Sequence, residues 1–167
     1  MGASYDLPIV DRFIAGTIGT PGQRVFFLQA VAGDQVVSLR LEKQQVALLA
    51  EHLARLIEGH ELPEVAPAHM GDLVEPLTTE WIVGSMMVAI NEAAGRVVVI
   101  AQELVDDEDD DSLLEGDEPG EARVALTRDQ AEAFVEGARN LVIAGRPICR
   151  LCGGPMDPDG HACPRWN

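Results

Sequence analysis

LEKQQVALLAEHLARLI, residues 41–57, is the stretch of sequence that decides the fold. Its apolar residues recur at the i, i+3, i+4, i+7 spacing of one helical face. They are Val46, Leu49, Ala50, Leu53, Leu56 and Ile57. A second stretch, LTRDQAEAFVEGARNLV at residues 126–142, repeats this pattern at a constant offset of 85 residues. The repetition predicts that one structural unit occurs twice in the chain.

Three short segments precede each helix, and their composition is typical of β-strands. They are rich in β-branched, aromatic and other apolar side chains, and short turns or loops separate them. They are residues 12–18, 24–32 and 35–41 in the first unit, and 81–90, 96–104 and 121–126 in the second. The sequence therefore predicts a duplicated β-β-β-α unit and an α+β fold. We expect largely antiparallel pairing, in one sheet or two, with two covering helices.

The same pattern divides the chain into four parts. They are a first unit at residues 1–59, a proline-rich connector at 60–79, a second unit at 80–145 and a tail at 146–167. One helix is too small to cover three strands and their exposed edges. We therefore expect the two units to share a core in a pseudo-twofold arrangement, as one compact domain.

Negative charge is concentrated in an insertion at residues 106–121, between the second and third strands of the second unit. It holds ten acidic residues and no basic one, in a chain of formal net charge −16. Such a chain repels a phosphate backbone, so direct nucleic-acid binding is disfavoured. Repulsion within the insertion favours a solvated, disordered loop.

Two other functions of the insertion compete with this interpretation. A calcium loop of the EF-hand type requires glycine at its sixth position, where this segment has Asp111, and a helix on each side, where this segment has strands. The pair Leu113 and Leu114 lies among the acids and could dock onto a basic partner. The calcium hypothesis is the weaker of the two.

The sequence also bears on the compartment of the protein. No apolar run approaches the roughly 20 residues of a membrane span, and the first residues lack the basic start and apolar core of a secretory signal. We therefore expect a cytoplasmic protein that does not associate with a membrane.

The tail carries all three cysteines of the chain. With one histidine they form the pattern Cys-x2-Cys-x8-His-x-Cys, at Cys149, Cys152, His161 and Cys163. Zinc prefers four tetrahedral nitrogen or sulfur ligands, which two close pairs joined by a turn can supply. Because four protein ligands leave no open position, the spacing predicts structural Zn²⁺. Redox use of the Cys-x2-Cys pair and a disulfide are weaker alternatives, because no helix is expected after Cys152 and a disulfide would leave one cysteine over.

No catalytic motif is evident in the sequence. Nucleophile-elbow, phosphate-loop and His-Glu-x-x-His patterns are absent, so no catalytic residues are predicted. The main alternative is a small-molecule-binding or hydrolytic enzyme with a site near Arg24, Glu42 and Lys43. Polar residues at a helix N-terminus are also expected for capping alone. A second alternative is a nucleic-acid-associated zinc knuckle.

Three motifs carry a resemblance to a known family. They are FIAGTIGTPGQRVFFLQA at 13–30, SLRLEKQQVALLAEHL at 38–53 and CRLCGGPMDPDGHACPRWN at 149–167. Together they resemble an actinobacterial family of conserved proteins of unknown function. That family includes ParJ, which is associated with the chromosome-partitioning ATPase ParA and its polymerisation. The resemblance implies a cytoplasmic, non-enzymatic interaction or regulatory protein with a ParA-type ATPase as its partner, and it offers no catalytic residues.

Overall fold

The computed structural model describes residues 2–20, 22–105, 118–144, 149–154, 156 and 160–165. The strands are β1 (Tyr5–Leu7), β2 (Arg12–Ile18), β3 (Val25–Ala32), β4 (Gln35–Leu41), β5 (Thr79–Asn91), β6 (Arg96–Glu103) and β7 (Glu121–Leu126). The helices are α1 (Lys43–Glu58) and α2 (Arg128–Ala144). The predicted α+β class, with a mostly antiparallel sheet and two helices, is confirmed. Strand β1 was not predicted, because three residues are too few to show a periodic pattern.

All described strands belong to one seven-stranded sheet, which follows the chain in order from β2 to β7. Pairing is antiparallel within each unit and parallel between β4 and β5, where the two units meet. Strand β1 adds to the far side of β7, also in parallel. Phe13 on β2 and Val124 on β7 line the same interior space although four strands separate β2 from β7. The sheet is therefore strongly curved, and both units contribute to one apolar cluster.

The two helices bury the apolar faces that the sequence predicts. The buried residues are Val46, Leu49, Ala50, Leu53 and Ile57 in α1, and Ala131, Phe134, Val135 and Ala138 in α2. The helices pack on each other, and each contacts the first long strand of the opposite unit, α1 with β5 and α2 with β2. The rings of Phe134 and Phe13 lie 4.8 Å apart across the second of these contacts. Within the described chain, no helix combines the length and the apolar character of a membrane span.

Gln45 and Gln130 occupy equivalent positions at the starts of the two helices. Each accepts a backbone N–H from three residues earlier, from Glu42 at 2.8 Å and from Thr127 at 3.0 Å. In α2 the Thr127 hydroxyl also accepts the N–H of Gln130 at 3.1 Å, which is the reciprocal bond of a capping box. These bonds satisfy backbone donors that a helix N-terminus leaves free.

The amide nitrogens of the same two glutamines join the units. Gln45 Nε2 donates to the carbonyl oxygen of Val83 on β5 at 3.1 Å. Gln130 Nε2 donates to the carbonyl oxygen of Val10, just before β2, at 2.7 Å. The same kind of hydrogen bond, from a glutamine amide to a backbone carbonyl, thus forms twice, once from each unit to the other.

The connector, residues 60–78, has no regular structure, as its prolines predict. The fully buried side chain of Gln29 on β3 fixes its second half. Gln29 Nε2 donates to the carbonyl oxygen of Val74 at 3.0 Å, and Gln29 Oε1 accepts the N–H of Val74 at 2.7 Å. Gln29 Nε2 also donates to the Ser38 hydroxyl at 3.0 Å. One side chain thus holds the connector against the sheet.

A carboxylate at the start of α2 fixes the first half of the connector. Asp129 Oδ2 accepts the N–H groups of Val65 at 2.8 Å and Ala66 at 3.2 Å. These donors, with Val65 the stronger influence, hold the pKa of Asp129 below its ordinary value. The ionised carboxylate is therefore the form that the fold stabilises.

Replacing Gln29 by leucine tests the buried contact. The leucine fills similar space but leaves the N–H and C=O of Val74 without their partner. We expect the free energy of unfolding in urea to fall by about 2–4 kcal/mol, because each unpaired buried polar group costs about 1–3 kcal/mol. Gln35→Leu, at an exposed position on β4, should change it by no more than about 0.5 kcal/mol. Equal stability of the wild type and Q29L would contradict this account.

Asp129→Asn tests the carboxylate anchor through its pH dependence. Because folding lowers the pKa of Asp129, its contribution is fully present above the ordinary value of 3.8 and is lost as the pH falls through the folded-state pKa. We expect wild type to be more stable than D129N at about pH 6, and this difference to shrink towards about pH 3. Urea unfolding across that range measures it. Glu136→Gln, on the exposed face of α2, serves as the control, and a pH-independent difference would exclude the carboxylate as the cause.

Candidate metal centre

The first half of the tail is a tight turn that carries two cysteines. Backbone hydrogen bonds of 2.8 Å close it, from Cys149 N to Gly154 O and from Gly153 N to Cys149 O. Gly153 has a φ of 71°, in the left-handed region that favours glycine. The turn brings Cys149 and Cys152 to one side, as a metal-binding pair requires.

The structure brings the four predicted side chains together. One donor atom from each of Cys149, Cys152, His161 and Cys163 lies within 4.8 Å of the others. Cys149 Sγ is 3.9 Å from Cys163 Sγ, and Cys152 Sγ is 3.4 Å from His161 Nε2. Tetrahedral zinc, with bonds of about 2.3 Å to sulfur and about 2.0 Å to nitrogen, gives sulfur–sulfur edges of about 3.8 Å and sulfur–nitrogen edges of about 3.5 Å. The spacing of the donors therefore fits a tetrahedral metal ion.

The alternatives for these cysteines fit less well. The Cys149–Cys163 separation of 3.9 Å is almost twice the S–S bond length of about 2.05 Å, and all three cysteines are free. Residues 149–154 form a turn rather than the helix start typical of redox Cys-x2-Cys motifs. Neither a disulfide nor a redox site is supported by this geometry.

The surroundings of the donors also suit a metal. His161 points its Nε2 at Cys152 Sγ, and its other ring nitrogen, Nδ1, is buried and has no hydrogen-bond partner in the described part of the chain. The backbone N–H groups of Cys152 and Leu151 lower the pKa of the Cys149 thiol to about 7, which favours the metal-binding thiolate. At Cys163 the N–H of Arg165 lowers the pKa, but burial and the neighbouring cysteines outweigh it and raise that pKa. The neighbouring cysteines thus favour ionisation of Cys149 and oppose that of Cys163, and a cation would stabilise both thiolates together.

The second predicted site, at the start of α1, is not assembled in the same way. No hydrogen bond or ion pair joins the side chains of Arg24, Glu42 and Lys43 to one another among the residues that the structure covers. The Glu42 backbone carbonyl accepts the N–H of Gln45 at 3.0 Å, and the side chain of Gln45 is engaged with the N–H of Glu42 and with Val83. Glu42 and Gln45 therefore belong to the start of the helix, and Gln45 also joins the two units.

Hydrogen bonds join the two ends of the acidic insertion where it connects to the sheet. The Glu103 carboxylate accepts the N–H of Gly120 at 2.9 Å and of Gly2 at 2.7 Å. These donors, Gly120 first, lower the pKa of Glu103. The disordered loop was predicted for residues 106–121, and the calcium site and the docking pair at Leu113 and Leu114 lie within it. Residues 106–117 lie outside the described residues, and Glu121 is the first residue of β7.

Sequence reasoning missed one concave surface. A cavity of about 530 Å³ lies among β2, the connector and the C-terminal half of α2, with Thr17, Asp72 and Glu75 among its lining residues. The run of small residues from Ala15 to Thr17 was the only local signal of it. Three remote segments form this cavity, and the repeat pattern does not relate them.

Cobalt substitution tests the metal centre. One equivalent of Co²⁺ added to metal-free protein should give the intense visible absorption of tetrahedral thiolate-bound cobalt, because the donors are three thiols and one imidazole. His161→Ala should weaken binding by about 10-fold or more, since one of four donors is lost. His52→Ala, an exposed histidine on α1, is the matched control and should bind as wild type does. A weak octahedral spectrum, or equal binding by H161A, would exclude this ligand set.

Comparison with known proteins identifies the family but gives it no activity. Neither a search of curated proteins nor a search of solved structures found a match. A family model described as "Protein of unknown function (DUF3090)" matches residues 5–163, almost the whole chain. The chain therefore belongs to this family of proteins of unknown function, DUF3090.

Proposed function

We propose that this protein is a non-enzymatic binding protein whose tail is held together by one structural Zn²⁺ ion. The observation that carries the metal assignment is the closed set of three thiols and one imidazole within 4.8 Å of one another. Thiolate and imidazole donors suit zinc, whereas magnesium and calcium require oxygen ligands. Four protein donors leave no position for a substrate or a water molecule, which supports a structural role for the ion.

The size of the tail supports the same role. Of the described tail residues only Cys149 is buried, so apolar burial contributes little to holding this segment in shape. In isolated finger peptides structural zinc supplies on the order of 10–16 kcal/mol. Zinc binding of that strength would fix a segment of this length without a core of its own.

We further propose that the protein acts through contacts with another protein in the cytoplasm of an actinobacterium. The proposed partner is a ParA-type chromosome-partitioning ATPase, and the support is the resemblance of residues 13–30, 38–53 and 149–167 to the family that includes ParJ. The free cysteines are compatible with a reducing compartment.

The enzymatic alternative has less support. Glu42 and Gln45 are engaged in capping and in the contact between units, so the start of α1 presents no assembled pair of acid and base near Arg24 and Lys43. The nucleic-acid alternative has one favourable observation, the exposure of Arg150, Leu151 and Arg165 on the tail. The net charge of −16 opposes it.

Metal analysis and a reconstituted assay test the two parts of the proposal separately. Protein purified without chelator should contain one zinc ion per chain by native mass spectrometry. Added to a purified actinobacterial ParA-type ATPase with ATP, it should change the amount of ATPase polymer that sediments, and it should itself sediment with that polymer. Another metal at full occupancy would overturn the zinc assignment. An unchanged pellet would overturn the ATPase assignment and leave the metal result intact.

A further inference from the structure

The cavity beside β2 runs along the edge of that strand. Ala15 belongs to the apolar core. Gly16 instead faces Leu73 of the connector, and a Cβ added to Gly16 would lie only 2.4 Å from Leu73 Cγ. These residues point to opposite faces of β2, and both line the cavity together with Thr17 and Ile18. A cavity that touches both faces of a strand lies at its edge.

No further strand of the described chain pairs with that edge, because β2 is the last strand of the sheet. The N–H of Ala15 points away from β3 and donates to Met70 Sδ at 3.5 Å. Because backbone direction alternates along a strand, the N–H and C=O of Thr17 point the same way. Neither the connector nor α2 supplies a hydrogen-bond partner for Thr17 within the described chain. An unpaired strand edge of this kind is a template for a further strand.

The cavity combines apolar walls with negative charge. Leu73, Leu77 and Leu141 contribute apolar surface, and Asp72 and Glu75 contribute two carboxylates, while no basic residue is among the lining residues that the structure describes. The last turn of α2, which ends at the cavity, also lacks a basic residue. The partial negative charge of the helix C-terminus therefore adds to that of the two acids. A complementary ligand has apolar groups and a positive charge.

Contacts within the chain hold the walls of the cavity in position. The connector is held by the two hydrogen bonds between Gln29 and Val74. Met70 packs against α2 at Gly137, where an added Cβ would lie 2.6 Å from its Sδ. A site that needs little ordering loses less free energy when a ligand binds.

We propose that this cavity binds an extended segment of a partner protein, which pairs with the edge of β2 at Thr17 and places a lysine or arginine beside Asp72 and Glu75. A second copy of this chain is a poorer occupant, because pairing of two β2 edges would bring both acidic pairs together. The inference rests on the proposed protein-binding function and names the surface that would perform it.

A displayed library of random octapeptides, selected against the wild-type protein, tests the proposal. We expect enriched peptides to alternate apolar residues with at least one lysine or arginine. Binding of the synthesised peptides, measured by fluorescence anisotropy, should weaken about 10-fold in the D72N/E75Q variant, because two carboxylates facing the base are lost. The matched control E58Q/E132Q removes two carboxylates from the groove between α1 and α2 and should leave binding unchanged.

Thr17→Pro tests the strand pairing itself. Proline removes the outward N–H of residue 17, which the sheet does not use, so the edge strand should still form. We expect T17P to lose peptide binding, and T17V, which keeps the backbone groups, to retain it. Circular dichroism checks that both variants are folded, and D72N/E75Q, with two exposed positions changed, provides the test if T17P does not fold.

The outcomes separate this inference from the proposed function. Failure to enrich any peptide, enrichment without a basic residue, or equal binding by D72N/E75Q or by folded T17P would overturn the β2 site. Dimerisation of the wild type that T17P abolishes would show the second copy as the occupant and would also overturn it. If folded T17P still sediments with the ParA-type polymer as wild type does, the proposal of that ATPase as the partner is retained, and its binding site lies elsewhere than at β2.

Discussion

The capping glutamine at the start of each helix donates a hydrogen bond from its amide nitrogen to the backbone of the opposite unit. This exchange of hydrogen bonds is the constraint on which the rest of the fold depends. Gln45 Nε2 reaches Val83, and Gln130 Nε2 reaches Val10. Both side chains are half-buried, and each amide nitrogen finds its acceptor in the opposite unit, whereas the helix N–H groups are capped within their own unit. The exchange sets α1 against β5 and α2 against β2, and it thereby places both helices over a core to which both units contribute.

The sequence predicted the elements of this fold well, because each element has a local signal. The apolar stripe of residues 41–57 specifies which face of α1 is buried, and its copy does the same for α2. Such a stripe does not specify what covers it, so the crossing of each helix to the other unit and the parallel pairing of β4 with β5 were not predictable. Gln29 shows the same limit, since a buried glutamine resembles an outward-facing polar residue when only the alternation of a strand is visible.

The two sites differ in predictability for a similar reason. The Cys and His residues at 149, 152, 161 and 163 are close in sequence, and a metal-binding pattern consists of residue types and spacings that can be read directly. One turn closed by its own backbone brings the first two of them to the same side. The cavity beside β2 needs Thr17, Asp72 and Leu141 from three remote segments, and none of these residues is unusual where it stands. Long-range packing brings them together, and no local pattern in the sequence indicates that packing.

Two of the non-repeated segments, the connector and the tail, occupy equivalent places, because one follows each helix. They are held by different physical means. The connector after α1 has a sheet and a helix to bind to, so Gln29 and Asp129 fix it through backbone groups. The hydrogen bonds formed by the described residues of the tail after α2 all lie within the tail itself. A short segment with few buried groups and no such anchors needs a cross-link of its own, and the four clustered donors are suited to provide one. The duplicated units therefore act as a scaffold for two added segments of different chemistry. One carries carboxylates beside a strand edge, and the other carries three thiols and an imidazole grouped as metal donors.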